Sequence, residues 1–386
     1  MLVTAVMFTS CTDKTDSTLS NDVIIPGITN TIDSKPSKPA EGILVYKNNG
    51  IPGGIFLFLL SQTKSAYLYS ATGAFKDDSA LWEEDTGDGV TVGDVIFNET
   101  LDSALSILHY ASVAQEAGIA LTEAENNEIT ATLDALVQSY GSRATFNNEM
   151  LRFGVGYNSL REFYKLEKLA QKGASHVLDK GGTNPITEEE LLDYYKKNFV
   201  TLRHVYFNTA YADPETGEAV TQEEKDKKSA RADKILELIR DGHANLATFK
   251  NENEDGIIND SPDGITIPLG DLLELYAGSG GEENNVFYTY YFLFTKVRGF
   301  AQAALMSDTG EVTRVDSEVG IFLVERTPLI LNMFDQYKDA INQFVIRPQR
   351  MSETVQKLRS ENAFTINQAA LATYNVASAP VLMTAN

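Results

Sequence analysis

Two apolar runs about a hundred residues apart limit the folds open to this chain. The first is Leu202-Arg203-His204-Val205-Tyr206-Phe207. The second is Val319-Gly320-Ile321-Phe322-Leu323-Val324, entered through Gly310-Glu311-Val312-Thr313. Each is short and rich in β-branched and aromatic residues, the pattern of a buried strand. A strand satisfies its backbone groups only by pairing, so each run needs a sheet partner. The chain between them reads as helix and turn, which makes the stretch an α+β unit.

The flanks read differently. Residues 95–117 place Leu101, Ala104, Leu105, Leu108 and Ala111 at helical spacing, with Gly118 as the stop. Thr122 and Glu125 form a capping box for a helix reaching about Tyr140. Another helix is predicted over 158–172, and a further one begins at Pro185 with Glu188, Glu189 and Glu190 in its first turn. Residues 42–50 read as a strand ending in an Asn-Gly turn. Within the central stretch, helices are predicted over 221–241, near Leu246 and over 300–306, with a loop over 251–264 and a mixed segment up to Arg298. Beyond Pro328, residues 329–361 read as one long amphipathic helix that Pro348 is placed to kink. Helices before and after the α+β unit predict that the two ends pack together, with that unit inserted between them.

The first eleven residues read as a targeting signal. An apolar stretch leads into Phe8-Thr9-Ser10-Cys11, a lipobox-like order in which small residues admit a peptidase and the Cys11 thiol takes the lipid. The apolar stretch is short and no Lys or Arg precedes it; a start further upstream would supply both. A buried strand with an incidental cysteine is the alternative. Residues 12–41 are rich in Ser, Thr, Asp, Lys and Pro, the composition of a tether. This places the body outside the cytoplasmic membrane, lipid-anchored through Cys11. Past the signal, no apolar run approaches the roughly 18 residues a bilayer span needs.

Composition excludes several functions. The chain has 386 residues and a formal net charge of -22, which disfavours nucleic acid and anionic lipid as partners of the body. Hydrophobic residues make up 43%, enough for true cores. The single cysteine cannot form a disulfide within the chain, and His109, His176, His204 and His243 lack metal-ligand spacing. No phosphate loop, dinucleotide fingerprint or nucleophile elbow is present, so neither metal nor cofactor is expected.

These residues together resemble the parvulin-type peptidyl-prolyl isomerases, in the setting found in the foldases of the PrsA/SurA family. Residues 187–195 resemble the helix preceding that domain. Residues 202–206 are similar to its first strand, whose histidine (here His204) lies in the active site. Phe300, Ala303, Leu305, Gly310, Glu311 and Thr313 fall on the family pattern Phe-x-x-Ala-x-Phe-x-x-x-x-Gly-Glu-x-Ser, and Gly320 matches the glycine of the last strand.

The resemblance implies a signal over 1–11, a tether over 12–41 and a helical chaperone part over 42–198. An isomerase-like domain follows over 199–328, then returning helices over 329–386. It implies His204 and Asp255 as catalytic groups and Phe300, Leu305 and Phe322 as the proline pocket. It also implies unfolded exported polypeptides as partners. Leu305 replaces the second Phe of the pattern, and the chain departs from the family at three further points. Phe322 stands where the family has a second histidine, Val319 where it has a polar residue, and the Gly-Gly-Asp-Leu-Gly turn is missing. Two functions follow as alternatives: a foldase that isomerises X-Pro bonds, or a holdase or surface lipoprotein that keeps the fold as a scaffold. The aromatic run over 287–294 reads either as core or as a client-binding face.

Overall fold

A computed structural model describes residues 42–72, 76–87, 89–213, 218–254, 263–279 and 286–382. The segments expected to be signal and tether, with Cys11, lie outside these residues, and so does Asp255. The chain divides into two units. One is the continuous stretch Ile186–Ile346; the other is assembled from the chain before Pro185 and after Arg347.

The helical unit opens on a hairpin, β1 (Leu44–Tyr46) and β2 (Asn49–Ile51), with Leu44 opposite Ile51. The Asn-Gly pair expected at the turn lies in β2 instead, and the turn falls at Lys47, whose φ is +52°. The cause is tertiary. Asn49 is buried, and its Nδ2 donates to Ser112 Oγ at 2.8 Å and Gln115 Oε1 at 3.0 Å. Those bonds hold Asn49 in the strand against its turn preference. Helices α1 (Gly53–Thr72), α2 (Ser79–Trp82), α3 (Val92–Glu116), α4 (Glu123–Ser139), α5 (Arg143–Met150) and α6 (Tyr157–Leu178) follow. Both capping-box bonds between Thr122 and Glu125 are present at the start of α4.

After the insert, the chain returns as the helix Arg347–Ser360 and the strand Thr365–Ile366, which pairs antiparallel with β1. Both ends of this unit therefore share one sheet. The tail is also pinned to α1. Lys64 is fully buried, and its ammonium donates to Asp77 Oδ2 at 2.6 Å and to the carbonyls of Ala377 and Ala379 at 3.1 and 2.8 Å. Three acceptors match its three donors, which is how a buried ammonium is tolerated.

His109 supplies a pH dependence. It packs edge-on against Tyr46 and Tyr110, and burial, with the Lys47 charge adding, pulls its imidazole down to about 4. An unfolded chain takes up that proton near pH 6.5, whereas the fold takes it only near pH 4. The native state thus binds fewer protons across that window, and stability falls as the pH drops from about 6.5 to 4. The ring is not fully buried, so solvent screening limits the expected loss to about 2 kcal/mol. Urea unfolding at pH 7 and pH 4 checks this, with His109→Phe expected to remove that increment from the difference.

The α+β unit runs through α7 (Glu188–Asn198), β3 (Phe199–Asn208), a small hairpin β4 (Tyr211–Asp213) and β5 (Glu218–Ala219), and α8 (Gln222–Arg240). Next come a 3-10 segment (Leu246–Glu252), β6 (Ile265–Pro268), α9 (Asp271–Ser279), α10 (Val286–Lys296) and α11 (Phe300–Met306). It closes with β7 (Val312–Asp316), β8 (Gly320–Thr327) and α12 (Phe334–Ile341). The four-stranded sheet has the order β6-β3-β8-β7, antiparallel throughout. The two apolar runs are its central strands, paired from Thr201 opposite Thr327 to Asn208 opposite Gly320.

Strand alternation sorts their side chains. Val200, Leu202, Phe322 and Val324 face α9, α10 and α11, whereas Val205, Phe207, Ile321 and Leu323 face α8 and the 3-10 segment. Both faces are covered, which is why these runs read as continuous apolar stretches. At one end of the unit, Tyr195 of α7 packs with Phe199, Phe334 and Tyr337. The single helix expected over 329–361 is divided: α12 gives way to a π-helical turn at Asn342–Ile346 before Arg347–Ser360. Pro348 has no N–H to give the carbonyl of Phe344, and a wider turn absorbs that mismatch.

Candidate functional site around His204

The pleat of β3 sends His204 to the α9–α11 face, with Leu202 and Tyr206 beside it. Three aromatic rings close on its imidazole. Tyr290 from α10 meets it edge-on at 5.6 Å between centroids, Phe300 from the first turn of α11 at 5.9 Å, and Phe322 from β8 at 6.0 Å. Phe300 and Phe322 themselves meet at 5.4 Å and 82°. The edge-to-face arrangement sets positive ring edges on negative faces. His204 Nδ1 and Tyr290 Oη lie 3.1 Å apart and share a hydrogen bond. His204 retains 1% of its surface, and Tyr290 and Phe300 retain none.

Tyr206 extends the cluster. It stacks on Phe322 at 4.6 Å, and its hydroxyl donates to the Val319 carbonyl at 2.7 Å. That position requires Gly320 to have no side chain, because a Cβ there would lie 2.3 Å from the Tyr206 ring. Val319 thus contributes through its backbone, not through the polar side chain the resemblance would place there. Leu305 sits half-buried at the margin of the same cluster, and its carbonyl accepts from Arg326 Nη1 at 2.9 Å.

The fold therefore gathers His204, Phe300 and Phe322 onto one face, with Leu305 at the edge. Tyr290 completes the cluster, and reading the sequence for site residues does not single it out. A signal for it exists. In residues 287–294 the pattern Phe287, Tyr290, Phe294 has helical spacing, so one face must turn inward. Tyr290 and Leu293 take that face, while Tyr288 and Phe292 are exposed.

Chemically, the cluster can hold an imidazole and a phenol in fixed apposition. It offers no room for a proline ring beside Phe300 while Tyr290 stays in place. Phe322 brings an apolar ring where a second imidazole would bring a titratable nitrogen. On the far side of the sheet, Arg203 and Glu325 face each other across β3 and β8 with Nε and Oε2 3.3 Å apart, and burial pushes the Glu325 carboxyl up against the pull of Arg203. Among the described residues, no group of three His, Cys, Asp or Glu side chains converges as a metal site requires. No described helix is long and apolar enough to cross a membrane.

No family model matches the chain, and no curated protein matches it. Among the solved structures similar to it are two PrsA proteins. One is PrsA from Bacillus subtilis, at 19% identity and a TM-score of 0.20, over 76% of this chain and 90% of that one. The other is the foldase protein PrsA from Streptococcus pneumoniae, at 14% identity and a TM-score of 0.20, over 77% of this chain and 92% of that one. Superpositions this loose say nothing about chemistry here, which has to come from the residues themselves.

Proposed function

We propose that this protein is an extracytoplasmic chaperone of the foldase kind, holding unfolded exported polypeptide, with its isomerase-like unit serving as scaffold. The observation that carries this reading is the burial of His204 against Tyr290 Oη. Prolyl isomerisation needs no covalent step. It needs a pocket for the ring and hydrogen bonds that strengthen as the amide twists, against a barrier of roughly 18–20 kcal/mol. A histidine under three aromatic rings offers neither to an incoming peptide.

Two features support polypeptide binding: the sheet with an outer strand at each edge, and the acidic net charge of -22, which attracts basic unfolded chains. An isomerase is the second reading, favoured by the meeting of His204, Phe300 and Phe322 on one face. In it, His204 and Asp255 would act on the amide, Phe300, Leu305 and Phe322 would hold the ring, and α10 would have to withdraw first. The anchor is part of the proposal through Cys11. Labelled palmitate should enter the wild type in a bacterial envelope and not Cys11→Ala.

The direct test of the chaperone reading is light scattering from a basic protein diluted out of denaturant. An equimolar amount of this protein should suppress the aggregation, less so as salt screens the charges. Unchanged scattering at every ratio would overturn the reading.

A further inference from the structure

We infer that extended polypeptide docks as a fifth strand on β7, with alternate side chains entering the groove between β7 and α11. This rests on the polypeptide-binding reading above and gives it a place. β7 is an outer strand of the four-stranded sheet. Its register to β8 pairs residues whose numbers differ by an odd step, from Val312 with Glu325 to Asp316 with Ile321. Just past it, Ser317 N donates to the Gly320 carbonyl at 2.9 Å. In an antiparallel ladder, hydrogen-bonded and non-bonded pairs alternate. Val315 and Thr313 therefore point their backbone groups at β8, and Val312, Arg314 and Asp316 point theirs outward. Those outward donors and acceptors are matched by one kind of partner, another extended main chain.

The charges on this edge, Arg314 and Asp316, are paired with each other, and no backbone device blocks it. β7 contains neither proline nor bulge, whereas β6, the opposite edge, ends in Pro268. Beside β7 lies an open groove of about 730 Å³. Its base is Ala303, Thr313 and Val315, and its helical wall carries Gln302 and Met306. Met306 is 78% exposed, the highest value among the large apolar side chains described. A flexible thioether suits contacts that must accept many sequences. The helix and strand run in opposite directions: Ser307 bonds Thr313 at one end, while Gly299 approaches Val315 at the other. A strand laid along β7 would therefore send every second side chain into the groove.

Charge narrows the occupant. Arg314 is already held by Asp233 at 2.6 Å and Asp316 at 2.7 Å, and Glu311 stands exposed at the Val312 end. The fitting segment carries a basic residue at that end and small or medium apolar residues at alternate positions. A second copy of this chain fits less well. In a symmetric edge-to-edge pairing centred on the strand, Arg314 would face Arg314, like charges directly opposed.

The test uses the full chain and reduced, carboxamidomethylated ribonuclease A, a basic chain that stays unfolded. Met306→Lys puts a charge of the probe's own sign into the groove from an exposed position. Asp316→Pro removes an outward N–H and leaves the bonds to β8 in place. Each should weaken binding about tenfold by fluorescence anisotropy. Hydrogen exchange at Val312, Arg314 and Asp316 should slow when the probe is bound to the wild type. If the wild type binds while both variants bind equally well and these amides exchange unchanged, the docking site is wrong and the chaperone reading stands. If the wild type does not bind, both fall. A dimer in sedimentation that Asp316→Pro dissociates would give the edge to a second copy and overturn the inference.

Discussion

Replacing Tyr290 with alanine should lower the stability of the α+β unit by about 3–5 kcal/mol, the cost of emptying a fully packed aromatic site. The ring is wholly buried, between His204 at 5.6 Å and Phe300 at 6.4 Å. Tyr290→Phe keeps the ring, loses the Oη contact to His204 Nδ1, and should cost about 1 kcal/mol. Urea unfolding of the two variants separates packing from hydrogen bonding. The same pair reports on access. Diethyl pyrocarbonate should modify the exposed His176 and His243 in the wild type and leave His204 intact. His204 should become reactive in Tyr290→Ala and remain protected in Tyr290→Phe. Rapid reaction of His204 in the wild type would show that α10 does not close the site.

Gly173 is the second position with a large expected effect. Glycine inside a helix usually costs about 1 kcal/mol relative to alanine, so propensity alone predicts that Gly173→Ala stabilises. The structure predicts the opposite. Gly173 lies on α6 where it crosses α3 through Tyr110, Ala111, Ala170 and Ala174. A Cβ there would sit 1.9 Å from the Tyr110 carbonyl oxygen and 2.8 Å from its carbon, both backbone. The helices would have to move apart, and forced overpacking of this kind costs about 1–3 kcal/mol or more. Gly173→Ala should therefore lower the melting temperature of the helical unit, and Gly173→Val should prevent it from folding. A stabilised Gly173→Ala would mean that the two backbones are not in contact at this crossing.

The contrast between these positions shows what was legible in the chain. The two central strands were readable because each is buried on both faces. The helix start at Thr122 was readable because a cap is local chemistry, whereas the helix expected from Pro185 begins only after the cap Thr187. The partner of His204 was not, because it lies 86 positions away on a helix whose aromatic run also suits a strand. The turn at Lys47 was misplaced because long-range bonds from Asn49 to α3 outweigh a local Asn-Gly preference. The π-helical turn was half-visible: Pro348 signalled a disturbance without giving its form. For the site, the residues that would meet a proline could be named from the run of the sequence. The ring that fills their pocket could not, since burial is a property of the assembled layers.

The measurement closest to the central claim is the cis-to-trans rate of an X-Pro tetrapeptide at micromolar concentrations of this protein, compared with His204→Ala. With His204 sealed beneath Tyr290, Phe300 and Phe322, both proteins should leave the peptide at its uncatalysed rate, tens to hundreds of seconds. Acceleration by the wild type that disappears in His204→Ala would contradict the account and make the unit a working isomerase.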